Sequence, residues 1–304
     1  MPYNLITILG PTATGKTNLA ARLAAELNGE IISADSRQVY KRMDIGTGKD
    51  LVELKMRNIN YHLIDICEPS EEYNLFRFRQ DFKKAFNQIS EKKKLPILVG
   101  GTGLYISSVL QNYELPPLIF EKSNYQNLNT LEIDELRKLL LSVKPDVHNK
   151  TDLTNKERMI KAIMIEQSRI KYKAGKLNLS SLNIGINPGR DEIKKNITER
   201  LKSRLGSGMI EEVKDLLDSG ITAERLKAFG LEYKFVYQYI TGELNYNDMF
   251  QKLDSAIHNF AKRQITWFRK MENENIKINW FTGSDYNEIL SFILKELQND
   301  ETVS

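Results

Sequence analysis

Apolar positions fall in short blocks along this chain, and their spacing changes from block to block. Leu5 to Leu9 is a compact run of strand length, whereas Lys16 to Leu27 carries Leu19, Ala20, Leu23, Ala24 and Leu27 at helical spacing. Glu30 to Asp35 reads as a second strand that delivers Asp35 at its carboxyl end, where α/β sheets bind ligands. Tyr61 to Ile66, Leu95 to Val99 and Leu182 to Ile186 read as further strands, with a helical segment from Leu75 to Ser90. Strands alternating with helices predict a parallel sheet covered on both faces.

From about Gln111 to Asn178 the pattern turns helical without strand signals, starting at Leu115-Pro116-Pro117. Within it, Thr154-Asn155-Lys156-Glu157 reads as a capping box that starts a helix through Ile160, Ile163 and Met164. After Ile186 the chain again reads as helical, from Asp191 to about Leu217, from Ala256 to Met271, and near Tyr286 to Leu297. At ~100° per residue, Ile257, Phe260, Gln264, Trp267, Phe268 and Met271 share one side of the second of these; Lys262, Arg263, Thr266, Arg269 and Lys270 share the other. The expected architecture is an α/β fold: a P-loop parallel sheet flanked by helices, with a helical insertion domain and a helical C-terminal part. Residues 1–112 and 180–304 form the core, and 113–179 the insertion.

Composition narrows the class. With 304 residues and 41% apolar content the chain can bury a large core. Its single cysteine, Cys67, excludes an intramolecular disulfide and a multi-cysteine metal site, and with nothing basic beside it in sequence it reads as a small packing residue. No apolar run reaches the ~18 residues of a membrane span, and the first residues lead into a strand without a signal-peptide pattern. The expectation is a cytoplasmic protein with no membrane contact. Net charge is only +4, but Lys150 to Lys176 holds eight basic residues against three acidic ones. Such a run serves either as a solvated helix face or as a phosphate-binding surface.

Gly10-Pro11-Thr12-Ala13-Thr14-Gly15-Lys16-Thr17 follows GxxxxGK[ST] and lies between a predicted strand and a predicted helix. Backbone amides at the helix start surround phosphate oxygens, Lys16 adds charge, and the Thr17 hydroxyl can ligate Mg²⁺. A kinase or ATPase of this kind needs an apolar strand ending in an aspartate for magnesium. Here Leu95 to Val99 runs into Gly100-Gly101-Thr102-Gly103, so that acid is missing. The nearest alternative is Asp35, positioned to hold magnesium through water, to accept a proton, or simply to cap the following turn. The second glycine turn lets a ligand approach the backbone and places the Thr102 hydroxyl in the same crevice.

Together these stretches, with Ser33 to Tyr40, Met43-Asp44-Ile45-Gly46-Thr47, His62 to Ile66, Val99 to Tyr105 and Ala261-Lys262-Arg263-Gln264-Ile265-Thr266-Trp267-Phe268-Arg269, resemble the tRNA dimethylallyltransferases over nearly the whole chain. The resemblance implies transfer of a dimethylallyl group from dimethylallyl diphosphate to the exocyclic amine of the adenosine 3′ of the anticodon, with Mg²⁺ as cofactor. Gly10 to Thr17 would hold the diphosphate, and Asp35, Lys16 and Thr102 would be catalytic. Asp35, Ser36, Arg37, Gln38 and Thr102 would meet the anticodon arm, joined from the insertion by Glu157, Arg158, Met159, Ile160 and Lys161. This chain departs from the family in two places. The spacing from Arg200 and Arg204 to Gly208-Met209-Ile210-Glu211-Glu212-Val213 is about one turn short, which leaves open which arginine meets the diphosphate, and the usual Gly-Tyr-Lys-Glu stands as Gly230-Leu231-Glu232-Tyr233-Lys234. The chain is expected to act as a monomer. Rival readings are an adenylate isopentenyltransferase acting on free nucleotide, a P-loop small-metabolite kinase, and a non-catalytic RNA-binding protein.

Overall fold

The structure, a computed structural model, describes residues 2–49, 51–113, 115, 122–144, 153–169 and 177–298. Two compact units are present, Met1–Asn112 with Asn178–Ser304, and Tyr113–Leu177. Among the described residues no helix is long and apolar enough to cross a membrane.

The first unit is built on six parallel strands in the order β3-β2-β4-β1-β5-β6. They are β1 (Leu5–Leu9), β2 (Gly29–Ser33), β3 (Tyr61–His62), β4 (Leu95–Gly100), β5 (Ser181–Ile186) and β6 (Asn279–Phe281). β1, β2 and β4 are buried throughout, as strands covered on both faces must be. Leu9 pairs with Gly100 and Ser33 with Val99, so the carboxyl ends of β2, β4 and β1 lie side by side. The loops that follow these three strands are the ones carrying Asp35, Thr102 and the phosphate-loop sequence.

α1 (Lys16–Glu26) packs Leu19, Ala20, Leu23 and Ala24 against Ile6, Ile8, Ile31 and Ile97 of the sheet, with Ile289 and Ile293 of α13 (Tyr286–Gln298). α2 (Leu51–Met56) adds Leu54 to this core. α3 (Leu75–Glu91) begins at Asn74, whose side chain accepts from the Arg77 amide, and buries Phe78, Phe82, Ala85, Phe86 and Ile89 at helical spacing. Phe78 stacks on Tyr105 of α4 (Gly103–Leu110) at 4.0 Å.

The C-terminal helices are α8 (Arg190–Gly206), α9 (Met209–Asp218), α10 (Ala223–Phe229), α11 (Leu231–Ile240) and α12 (Tyr246–Asn273). With Val39, Tyr40, Met43 and Cys67 they form a second core around Leu201, Val213, Phe229, Tyr233, Leu253 and Ile257. In the other unit, α5 (Lys122–Thr130), α6 (Ile133–Val143) and α7 (Lys156–Arg169) enclose Leu128, Leu136, Leu140, Met159, Ile160, Ile163 and Met164.

Several sequence expectations need correction. The strand expected over Tyr61 to Ile66 stops at His62, because Leu63 and Asp65 take left-handed backbone angles (φ 64° and 57°) that no strand accommodates. The helix expected from Asp191 to Leu217 is two, divided at Gly208 with φ 100°. The helix expected from Ala256 begins ten residues earlier, where the Asn245 side chain accepts from the Asp248 amide. Asn155 rather than Thr154 caps α7, its side chain accepting from the Arg158 amide at 3.0 Å. Cys67 does have a cation beside it, Arg77 Nη1 at 3.8 Å, yet burial pushes its thiol up, so it remains a packing residue. Pro116 and Pro117, and much of the basic run (Lys150, Lys171, Lys173 and Lys176), lie outside the described residues.

At the amino end of the sheet, the wholly inaccessible Glu30 receives hydrogen bonds from Asn60 (3.0 Å) and Lys94 (3.0 Å), with His62 at 2.8 Å and Lys92 at 3.3 Å. Burial alone would raise its pKa, but the bonds from Asn60, His62, Lys94 and Lys92 outweigh it and hold the carboxyl at about 2. Its stabilising contribution is therefore full above the ordinary carboxylate range and is lost as pH falls through about 2. Glu30→Gln should cost about 3 kcal/mol in denaturant unfolding at neutral pH, because it removes the carboxylate charge that the partly exposed Lys92 and Lys94 and the His62 ring stabilise. Repeated at decreasing pH, the difference from wild type should shrink; a constant difference would contradict this reading.

Candidate active site

A cavity of about 990 Å³ opens at the carboxyl end of β1, β2 and β4. Its polar wall contains Thr12 to Thr17 from the loop after β1, Asp35 to Gln38 after β2 and Gly100 to Leu104 after β4. α8 contributes Arg200 and Arg204, the loop before α2 contributes Gly46 to Gly48, and α12 contributes Phe260, Arg263, Gln264 and Trp267.

The loop after β1 is shaped for an anion. Ala13 and Gly15 take left-handed angles (φ 62° and 76°), which turn successive amides into one concavity and aim them at the start of α1. Gly10 and Pro11 are buried behind this wall. Lys16 Nζ folds back to donate to the Pro11 carbonyl (2.5 Å) and the Thr14 hydroxyl (3.3 Å). Burial, followed by the neighbouring Arg200, lowers the Lys16 pKa to about 7 against the opposing pull of Asp35. A phosphate entering here would satisfy a cation that burial and Arg200 destabilise.

Arg200 stands against the same loop, Nη1 3.3 Å from Thr12 Oγ1. One turn on, Arg204 donates to the Gly46 carbonyl at 3.3 Å and pairs with Glu232 at 3.5 Å. Burial pushes the Glu232 carboxyl above its usual range, against the pull of Arg204 and Arg200. The Asp44–Gly46 backbone is itself gripped by Glu212, whose carboxylate accepts from the amides of Asp44 (2.7 Å), Ile45 (2.6 Å) and Gly46 (3.0 Å) and from Tyr233 Oη (2.7 Å).

Asp35 Oδ1 accepts from the Arg37 amide at 2.9 Å, so the carboxylate does cap its turn. Its second oxygen takes no part in that cap. Thr102 Oγ1 accepts from the Ser36 amide at 3.2 Å, which ties the Asp35 turn to the second glycine turn. Gln38 bridges outward, accepting from Ser33 Oγ at 3.0 Å and donating to the Gly48 carbonyl at 3.1 Å.

Two family descriptions match: "IPP transferase" over residues 38–271 and "Isopentenyl transferase" over residues 3–65. The first spans well over half of the chain. The chain belongs to the tRNA dimethylallyltransferase (IPP transferase) family. It is similar to tRNA dimethylallyltransferase 1 of Azobacteroides pseudotrichonymphae genomovar. CFP2, with 50% identity covering 94% of this chain and 95% of that one. tRNA dimethylallyltransferase 2 of Syntrophotalea carbinolica is 48% identical, with 93% and 96% covered. The crystal structure of the full-length tRNA isopentenylpyrophosphate transferase from Bacillus halodurans superposes with a TM-score of 0.73 at 32% identity, covering 99% of both chains. As a member of this family the chain is an enzyme, a prenyltransferase.

The fold thus gathers Lys16, Thr17, Asp35 to Gln38 and Thr102 of this dimethylallyltransferase into one cavity. Residues 157–161 lie in the other unit on α7, where Met159 and Ile160 are buried in that unit's own core. Only Glu157, Arg158 and Lys161 are exposed there, and Glu157 pairs with Lys161 at 2.9 Å. A contact from this stretch to RNA would therefore use those three side chains rather than Met159 or Ile160. Of the residues read as the packing side of α12, Phe260 is instead exposed and Trp267 half-buried, both lining the cavity; Ala261 packs in their stead.

Sequence reasoning assigned no chemistry to Gln264, Glu212 or Glu232. The one hint was for Gln264, whose stretch Ala261 to Arg269 carries the family likeness; Glu212 and Glu232 lie in the two stretches that depart from it.

Binding of inorganic diphosphate should protonate Lys16. Titration calorimetry near pH 7.5 in buffers of different ionisation enthalpy should report proton uptake that disappears in Lys16→Arg, whose guanidinium stays charged throughout. Equal proton uptake by both proteins would show that Lys16 is already charged in the free enzyme.

Proposed function

We propose that this protein transfers the dimethylallyl group of dimethylallyl diphosphate to the exocyclic amine of the adenosine 3′ of the anticodon in tRNA, releasing diphosphate. It would act in the cytoplasm, as a monomer. The observation that carries the reading is the convergence of an anion cradle and a carboxylate, Asp35, on one cavity whose neighbouring strand end lacks a kinase's acid.

An adenine amine is a poor nucleophile, because its lone pair is delocalised into the ring. It attacks the allylic carbon as the bond from that carbon to the diphosphate oxygen lengthens, and the bonding pair leaves with the diphosphate. The amides of Ala13 to Thr17, with Lys16 and Arg200, stabilise the charge gathering on the leaving group. Asp35 takes the amine proton, so its free oxygen must face the base. Thr102 holds the Asp35 turn through Ser36. The target base leaves its loop to enter the cavity.

The residues present fit a magnesium ion. The Thr17 hydroxyl offers one hard oxygen ligand, and among the described residues no group of three or more His, Cys, Asp or Glu could hold a metal. Diphosphate oxygens and water would complete the coordination, as Mg²⁺ prefers. When bound, the ion supplies positive charge beside the leaving group.

For RNA, the exposed strip Lys262, Arg263, Arg269 and Lys270 on α12 offers phosphate contacts, and Arg158 and Lys161 offer others from the second unit. Arg37 and Gln38 line the cavity and would meet the anticodon loop.

Asp35→Ala should lower transfer by about 10²–10⁴-fold, the usual weight of a general base, while tRNA affinity by filter binding changes little. Wild-type turnover in that variant would remove Asp35 from the role. Labelled dimethylallyl diphosphate offered with tRNA, AMP or ATP in parallel should label only tRNA. Label in free nucleotide would instead indicate an adenylate isopentenyltransferase.

A further inference from the structure

Gln264 is almost wholly buried, with 7% of its surface exposed, in the middle of an otherwise apolar face of α12. A buried primary amide must find partners at both ends. Here both partners are main-chain groups of the two glycine turns. The Thr12 amide donates to Gln264 Oε1 at 2.9 Å, and Gln264 Nε2 donates to the Gly101 carbonyl at 2.8 Å. An amide N–H can only donate and a carbonyl can only accept, so the side-chain orientation is unambiguous. A carbonyl at one end and an N–H at the other is the pattern this gap requires.

The contact is close enough to restrict the turn: a Cβ on Gly101 would run into Gln264 Nε2. One turn further along α12, Trp267 lies against Gly103 and donates through Nε1 to Ser107 Oγ at 2.8 Å. The same helix is therefore fastened twice to the turn and helix after β4. From Gly101 the connection continues to the proposed base. The Thr102 amide donates to the Ala34 carbonyl at 3.3 Å, and Thr102 Oγ1 accepts from Ser36, beside Asp35.

We propose that Gln264 is a positioning residue that sets the separation between the diphosphate cradle and Asp35, by bridging the Thr12 amide to the Gly101 carbonyl. Although it lines the cavity, its proposed part is to place the two turns rather than to take part in the transfer. It also occupies the Thr12 amide, which leaves the amides from Ala13 onward as the cradle. Displacing either turn would separate leaving group from base, and in-line transfer tolerates little of that; a shift of ~1 Å can cost about 10²-fold in rate. The inference rests on the function proposed above.

Two variants test it. Gln264→Glu keeps the shape, but an ionised carboxylate cannot donate to Gly101, whereas the protonated acid can. Gln264→Met keeps the length and has no donor at any pH. The variants and wild type are compared from about pH 5.5 to about pH 8.5, a window in which a buried carboxyl titrates. The kcat of Gln264→Glu relative to wild type should be about 10²-fold down at the alkaline end and recover at least about 10-fold at the acid end. Gln264→Met should stay low throughout, and KM for tRNA should remain near wild type in both. A merely structural glutamine would not produce acid rescue of kcat alone.

A flat kcat ratio for folded Gln264→Glu, or wild-type kcat in Gln264→Met, overturns the clamp. If Gln264→Glu does not fold, as judged by circular dichroism, Gln264→Met decides alone. Should wild type transfer nothing to tRNA, the proposed function fails by itself. The clamp is then judged on inorganic diphosphate affinity, expected to fall at least about 10-fold in Gln264→Met if the cradle loses its support, with unchanged affinity overturning it.

Discussion

The site depends on how closely main chain can approach main chain at the carboxyl edge of the sheet. A Cβ on Gly100 would collide with the Ala34 carbonyl, and one on Gly10 with the Ile186 carbonyl. Neither contact leaves room for a side chain, so the loop after β4 emerges close to that after β2, and the end of β1 close to that of β5. The parallel register adds the rest by setting Leu9 beside Gly100 and Val99 beside Ser33. An anion cradle and a carboxylate thereby meet across a crevice at the strand ends, the usual ligand position in open α/β sheets.

Charge then gives the crevice its character. Lys16 and Arg200 crowd one wall, and Arg204 is balanced by Glu232 a turn away. Burial disfavours the charged forms on both sides, pushing the lysine down to about 7 and the glutamate up. In the proposed function, a bound diphosphate would relieve the cost on the cation side. It would leave Asp35 near the cations but in its own turn, where the proposed function has it take a proton from the acceptor. The absence of an acid after β4 fits this division of labour. Hydrolysis of a nucleotide needs an acid to place metal and water, whereas prenyl transfer needs only stabilisation of a departing anion and a base for the amine.

Much of this was legible along the chain because it is local. The loop Gly10 to Thr17, its flanking strand and helix, and Asp35 at the end of β2 are contiguous patterns whose physics is complete within a few residues. What escaped depended on residues distant in sequence. Gln264 sits 252 residues from Thr12, and on a helical wheel it reads as a packing residue. That Arg200 stands against the loop after β1 while Arg204 meets Gly46 and Glu232 depends on how α8 docks. β6 is too short, and too exposed at Trp280, to signal a strand. The early stop of β3 reflects left-handed turns at Leu63 and Asp65, which lack the Gly or Asn that usually announces them.

The central claim is geometric: the diphosphate of the donor lies on the amides of Ala13 to Thr17 with its allylic carbon directed toward Asp35. A crystal structure of the protein with tRNA and an inert thio-analogue of dimethylallyl diphosphate tests this directly. The account predicts phosphate oxygens on those amides and on Arg200, with the allylic carbon about 3–3.5 Å from the adenine amine and Asp35 on the amine's proton. A donor bound with its diphosphate away from the loop after β1, or an adenine amine beyond reach of Asp35, would contradict it.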